Sequence, residues 1–158
     1  MIKVLFVCLG NICRSPMAEY MFKDLVKKRN IDNKFIIESR ATSSEEIGND
    51  MDIRAKRKLS ENNIPISKHT AKKLTIDDYY NFDYIIGMEK ANIINILRII
   101  KEDKDEKVYR LLDFTNKKKD IDDPWYTNNF DITYNELNEG LNSFLTYLIE
   151  KGEVWILT

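Results

Sequence analysis

Apolar residues in this chain recur with two different periods. Residues 4–7 (Val-Leu-Phe-Val) form an unbroken apolar run, as expected of a strand buried on both faces. From residue 17 the spacing changes: Met17, Ala18, Met21, Phe22, Leu25 and Val26 lie three and four apart, and Lys27, Lys28 and Arg29 close the segment where a helix dipole favours cations. This predicts a helix over 17–29. Residues 35–38 predict a short buried strand, 39–50 a polar loop containing Gly48, and 52–63 a helix ended by Asn62 and Asn63 ahead of Pro65. Arg54, Lys56, Arg57 and Lys58 on that helix read as a solvated face. A strand at 83–87 precedes a helix with Ile93, Ile96, Leu97 and Ile100 on one side, and 108–112 predicts another strand. The last helix, from about 131 to 151, aligns Tyr134, Leu137, Leu141, Phe144, Leu145 and Leu148 and stops at Gly152. Residues 154–157 form an apolar tail expected to pack back on the body.

Strands that alternate with helices predict an α/β fold: a three-layer sandwich with a central parallel sheet of about four strands and helices on both faces. No linker, repeat or low-complexity segment divides the chain, so one domain over residues 1–158 is expected. A net charge of −1, from 25 basic and 26 acidic residues, gives no global attraction to nucleic acid or to an anionic membrane. With no leader-like start and no apolar run of membrane-spanning length, a cytoplasmic protein is expected, and a monomer. Two cysteines five apart are no disulfide framework, and a reducing compartment suits a reactive thiolate.

The candidate chemistry lies directly after the first strand: Cys8, Leu9, Gly10, Asn11, Ile12, Cys13, Arg14, Ser15, Pro16. A loop between a parallel strand and a helix start presents unpaired N–H groups and positive potential, which suit a phosphate-sized anion. The same field stabilises a thiolate at Cys8, making it a nucleophile at neutral pH. Arg14 can give two parallel N–H bonds to two oxygens of a tetrahedral oxyanion. Gly10 is expected to permit a tight turn, Asn11 to tolerate a left-handed conformation, Ser15 to cap the helix and Pro16 to open it. A thiolate attacking phosphorus needs an acid for the leaving oxygen, carried on a mobile loop over the cup. Residues 120–126 (Asp-Ile-Asp-Asp-Pro-Trp-Tyr) supply carboxylates, and Trp125 and Tyr126 could wall a cleft for a phenyl ring.

At these residues the chain resembles the low-molecular-weight protein tyrosine phosphatases, whose signature is a strand followed by Cys-x5-Arg-Ser, with a late Asp-Pro-Tyr-Tyr motif. The resemblance implies hydrolysis of phosphotyrosine proteins or small aryl phosphates in two steps, without cofactor or metal. Cys8 would form a phosphocysteine, with phosphate bound by Arg14 and the amides of residues 9–15. Asp123 would be the general acid and then the base. The resemblance further implies a support network of Asn11, Ser15, Ser39 and His69, and a redox partner for Cys8 in Cys13. Asp52 and Arg54 echo a family pair read as structural charges. The chain departs from the family pattern at Glu45 on the cleft wall, where many members carry an aromatic, and at Glu89, Arg40, Trp125 and Thr127. Glu45 would repel acidic peptide segments. Two alternatives stay open: arsenate reduction with an external thiol, since the chain has only two cysteines, and a non-catalytic phosphate or phosphotyrosine reader that keeps the cup.

Overall fold

A computed structural model describes residues 1–156. Four parallel strands form the sheet: β1 (Ile2–Cys8), β2 (Phe35–Ala41), β3 (Tyr84–Gly87) and β4 (Val108–Arg110), in the order β2-β1-β3-β4. β1 is central because its apolar run can be covered on both sides. Val4, Phe6 and Cys8 point to one face, and Leu5 and Val7 to the other. Among the described residues there are six α-helices, of which α5 is a single turn: α1 (Arg14–Lys28), α2 (Ile53–Glu61), α3 (Ile76–Asn81), α4 (Lys90–Ile100), α5 (Pro124–Thr127) and α6 (Phe130–Glu150). On the first face Phe22 of α1 meets Phe6, Phe35 and Phe144 with ring centroids 5.9, 5.4 and 5.4 Å apart. Such pairs add about 0.5–1.5 kcal/mol each beyond area burial. On the second face Tyr79, Phe82, Ile96 and Ile100 of the α3 and α4 region cover Leu5, Val7 and Ile85. The three-layer α/β expectation therefore holds.

The boundaries differ from the sequence reading in ways that bear on the site. α1 begins at Arg14, with Cys13 at the N-cap making no side-chain cap bond, so Ser15 is already helical and its hydroxyl is available elsewhere. β2 runs on to Ala41, which places Ser39 and Arg40 in a strand instead of the expected loop. β4 ends at Arg110, and Leu111–Phe114 is a 3-10 turn that buries Leu111 and Leu112. The periodicity gave no sign of α3, which is only six residues long and is held by a capping box between Thr75 and Asp78. In the tail Val154 is buried and Trp155 is exposed; Leu157 lies outside the described residues. Among the described residues no helix is long and apolar enough to cross a membrane.

β1 pairs with β2 on one side and β3 on the other, so the chain turns in opposite directions at its carboxyl end. The crevice at such a switch point is where open parallel sheets bind ligands. Cys8 ends β1 there, Met88 and Glu89 follow β3, and residues 115–123 cross the same edge.

Candidate active site

Each carbonyl that matters in the loop after β1 is held from outside. The oxygens of Cys8 and Leu9 accept from the N–H groups of Thr42 (3.0 Å) and Ser43 (2.9 Å), and that of Ile12 accepts from Asp52 N–H (2.9 Å). Cys13 O accepts from Met17 N–H at 3.0 Å, and Asn11 O from His69 Nε2 at 2.7 Å. There are no cis peptides among the described residues. In a trans peptide the next N–H points opposite to the carbonyl. The amides of Leu9, Gly10, Ile12, Cys13 and Arg14 consequently face away from these outer partners, into the loop. A ring of inward N–H groups at the start of a 15-residue helix is an anion cup.

The turn is made by Asn11, whose φ is 59°, while Gly10 does not take a positive φ. The sequence reading let Gly10 ease the turn and Asn11 take a left-handed conformation; the structure shows the left-handed residue at Asn11, with Gly10 needing no positive φ. Asn11 can hold that conformation because its side chain is fully committed. Its Oδ1 accepts from Lys72 N–H (3.1 Å), which fixes the amide's orientation, and its Nδ2 donates to Ser15 Oγ (2.8 Å) and Ser39 Oγ (2.9 Å). Ser39 in turn donates to Glu19 Oε1 at 2.6 Å, and Glu19 is paired with Lys23. With Asn11 supplying its proton, Ser15 keeps its own hydroxyl hydrogen for Cys8 Sγ, 3.0 Å away. Asn11 N–H lies 3.3 Å from the same sulfur. A thiolate at Cys8 therefore has two donors, and bonds to a charged acceptor are the stronger kind.

Arg14 is 2% exposed. Its Nη1 donates to Glu89 Oε2 (2.5 Å) and Ile121 O (2.9 Å), and its Nη2 is 3.3 Å from Asp123 Oδ2. Burial opposes the guanidinium's charge, but Cys8, Asp123 and Glu89 outweigh it and raise its pKa above the ordinary value. Among the described residues Nε has no acceptor, so the Nε–Nη2 edge is the one left toward the cleft that Arg14 helps to line. That edge carries the two parallel N–H groups that a bidentate grip on two oxyanion oxygens needs.

Asp123 sits on a helical turn and not on a plain loop. It N-caps α5, its Oδ1 accepting from Trp125 N–H at 3.0 Å. Cys8, Cys13, Arg14, Glu45, Asp123, Trp125 and Tyr126 line one cleft, and Ser43 and Glu46 join them. Trp125 and Tyr126 are 52% and 78% exposed, and the Arg54 guanidinium lies over one side of the Trp125 ring. Both cysteines are free and buried; burial first, then Asp52, pushes the Cys13 thiol well up. His69 sits behind the loop, its Nε2 donating to the Asn11 carbonyl.

This anion cup, with its sulfur and facing carboxylate, lies inside the stretch matched by a family model, residues 3–154, described as low molecular weight phosphotyrosine protein phosphatase. This chain belongs to that family. The chicken low molecular weight phosphotyrosine protein phosphatase is 40% identical over 147 residues, covering 90% of this chain and 92% of the chicken protein. Among solved structures, YfkJ from Bacillus subtilis superposes with a TM-score of 0.92 at 34% identity, covering 96% of each chain. The Streptococcus pyogenes low molecular weight protein tyrosine phosphatase gives 0.84 at 40% identity, covering 94% of this chain and 93% of that one.

Several residues in or behind this phosphatase's cleft were not legible beforehand. Glu19 on α1 carries no local motif, and only the fold brings it to Ser39 of β2. The Ile121 carbonyl on Arg14 is a backbone group without sequence identity. Glu46 could have been suspected from its neighbour Glu45.

Proposed function

We propose that this phosphatase hydrolyses phosphotyrosine and small aryl phosphate monoesters through a phosphocysteine, with Cys8 as nucleophile, Arg14 and the loop amides binding phosphate, and Asp123 as acid and base. The observation that carries the reading is the pairing of a sulfur that has two hydrogen-bond donors with a carboxylate held against the phosphate-binding arginine.

In the first step the Cys8 sulfur attacks phosphorus in line with the phenolic oxygen. The S–P bond forms, the P–O bond breaks, and Asp123 gives its proton to the departing oxygen. Charge on the three equatorial oxygens is met by the Arg14 edge and the inward amides. Preorganised donors of this kind are the largest catalytic contribution in most such sites. In the second step Asp123, now a carboxylate, takes a proton from water as the water attacks phosphorus, and Cys8 leaves as thiolate. Trp125 and Tyr126 favour a flat aryl group, which fits phosphotyrosine better than an aliphatic ester. The reading takes residues 1–158 as one phosphatase domain, acting as a monomer. A reducing cytoplasm suits its two free cysteines.

The test is turnover of p-nitrophenyl phosphate and of a phosphotyrosine peptide, beside Cys8→Ser. Wild type turns over both, and the variant falls below about one hundredth of the rate while still binding phosphate. Quenched enzyme carries a phosphate on Cys8. Residual activity in Cys8→Ser above that level removes Cys8 as nucleophile.

A further inference from the structure

The basic face of α2, a solvated surface on the sequence reading, contains one residue that is built into the site. Arg54 is gripped by Asp52, with Nε on Oδ1 at 3.1 Å and Nη2 on Oδ2 at 2.9 Å. Asp52 is also the N-cap of α2, and its own N–H holds the Ile12 carbonyl of the phosphate loop at 2.9 Å. From this fixed base the remaining guanidinium nitrogen, Nη1, donates to Asn128 Oδ1 at 2.9 Å. The guanidinium carbon lies 5.3 Å from the Trp125 ring centroid and 5.0 Å from that of Phe130.

These contacts act on the turn that carries Asp123. Tyr126 and Thr127 N–H groups bond to Asp123 O (3.1 and 3.2 Å), and Asn128 N–H bonds to Pro124 O (2.8 Å), so residues 123–128 form one hydrogen-bonded unit. Its far end closes on Asn128 at φ 55°. Ahead of the turn, Ile121 N–H is fixed to Met88 O at 2.9 Å, and Ile121 O accepts from Arg14. Asp123 is therefore suspended between two anchors, and Arg54 is the link between the rear one and the phosphate loop.

We propose that Arg54 is a positioning residue for the general acid: it ties the 123–128 turn to the phosphate loop, so that the Asp123 carboxylate sits at the leaving oxygen. The inference rests on Asp123 being the acid. A guanidinium is required because the task needs two bonds to Asp52, a third to Asn128 and a flat face against Trp125 and Phe130. A lysine offers only a point charge on a flexible stem.

The test is kcat/KM across aryl phosphates of increasing leaving-group pKa, for wild type, Arg54→Met, Asn128→Gly, Asp123→Asn and the Arg54→Met/Asp123→Asn double variant. Methionine keeps an apolar stem against the rings, and glycine accepts the left-handed backbone at 128 while removing the amide. Arg54→Met should lose about tenfold on phenyl phosphate and about twofold or less on p-nitrophenyl phosphate, since protonation matters most for the poorer leaving group. Asn128→Gly should show the same trend, smaller. The inhibition constant for phosphate should stay unchanged in both. In the Asp123→Asn background Arg54→Met should cost nothing further, because residues acting as one unit are not additive.

A uniform loss across the series, a weakened phosphate constant, or full additivity in the double variant overturns the proposal in favour of a purely structural Arg54. If Asp123→Asn itself shows no leaving-group dependence, the acid assignment fails and the positioning role fails with it. That outcome is separate from one in which Asp123→Asn behaves as an acid variant and Arg54→Met does not.

Discussion

Arg14 Nη1 donates to Glu89 Oε2 at 2.5 Å, with Glu89 standing at the N-cap of α4 and Arg14 opening α1. Two helix starts on opposite faces of the sheet are thereby joined across its carboxyl edge. The pair holds the guanidinium so that its other edge faces the cleft. Arg14→Lys should keep the charge and still lose at least about a hundredfold in kcat/KM, because one ammonium cannot serve Glu89, Ile121 O and two phosphate oxygens together. Glu89→Gln should lose less, about tenfold, through poorer orientation. Steady-state kinetics on p-nitrophenyl phosphate check both, and a near-normal Arg14→Lys would reduce Arg14 to a source of field.

Asp123→Asn should slow kcat/KM for phenyl phosphate at least about a hundredfold, and p-nitrophenyl phosphate much less, since a stable phenolate departs with little protonation. An equal loss on both would move the acid role to another carboxylate. Asp120 is a poor substitute, since its Oδ1 already accepts from Lys90 N–H and Arg110 Nη1.

Ser15→Ala removes one of the two donors to the Cys8 sulfur and leaves the cup's amides in place. Alkylation of Cys8 by iodoacetate at mildly acidic pH should slow by about tenfold, in line with the worth of a hydrogen bond to a charged group. Thermal stability should also fall, because the substitution takes from the buried Asn11 Nδ2 its Ser15 acceptor. Unchanged alkylation would mean that the hydroxyl serves Arg40 O, 3.4 Å away, instead.

Peroxide should inactivate the enzyme reversibly. Oxidation of the Cys8 thiolate to sulfenic acid, followed by attack of Cys13 with loss of water, forms a disulfide that dithiothreitol reduces. Intact mass should show the loss of two hydrogens, and Cys13→Ser should make the same dose largely irreversible. Full recovery of Cys13→Ser, with no Cys8 to Cys13 bridge in wild type, would leave Cys13 as packing.

The Arg54 bond, acting against burial and helped by Arg54 N–H, holds the Asp52 carboxyl below its ordinary value of 3.8. A depressed carboxyl contributes stability above its unfolded value and loses it as pH falls through the folded one. Asp52→Asn should therefore unfold more easily than wild type in urea at neutral pH, by about 0.5–1 kcal/mol. The gap should shrink as pH falls below about 3.8. A constant gap across that range would mean that the charge of Asp52 does not matter.

Local pattern was enough for much of this protein. The unbroken apolar run at β1, the three-four spacing of α1, α4 and α6, and the order of strands and helices determine a parallel sheet covered on both faces. The loop of residues 8–15 determines an anion cup with a thiol, because a helix start, an arginine and a cysteine within eight positions need no distant partner to define their chemistry. What the sequence left open depends on side chains that meet only after folding. Glu19 reaches Ser39 because α1 packs on β2, and this sets which way the hydrogen bonds run toward Cys8. Asn11 does take the left-handed conformation, but the partner that holds its side chain there, Lys72 N–H on Oδ1, comes from 61 positions away and has no local signal. Arg54 looked like one of four solvated cations on a short helix. Only the placement of the 123–128 turn against α2 gave it Asn128 and Trp125 as partners, because a cation's role is decided by what is brought within reach of it, and that is a property of the packed chain.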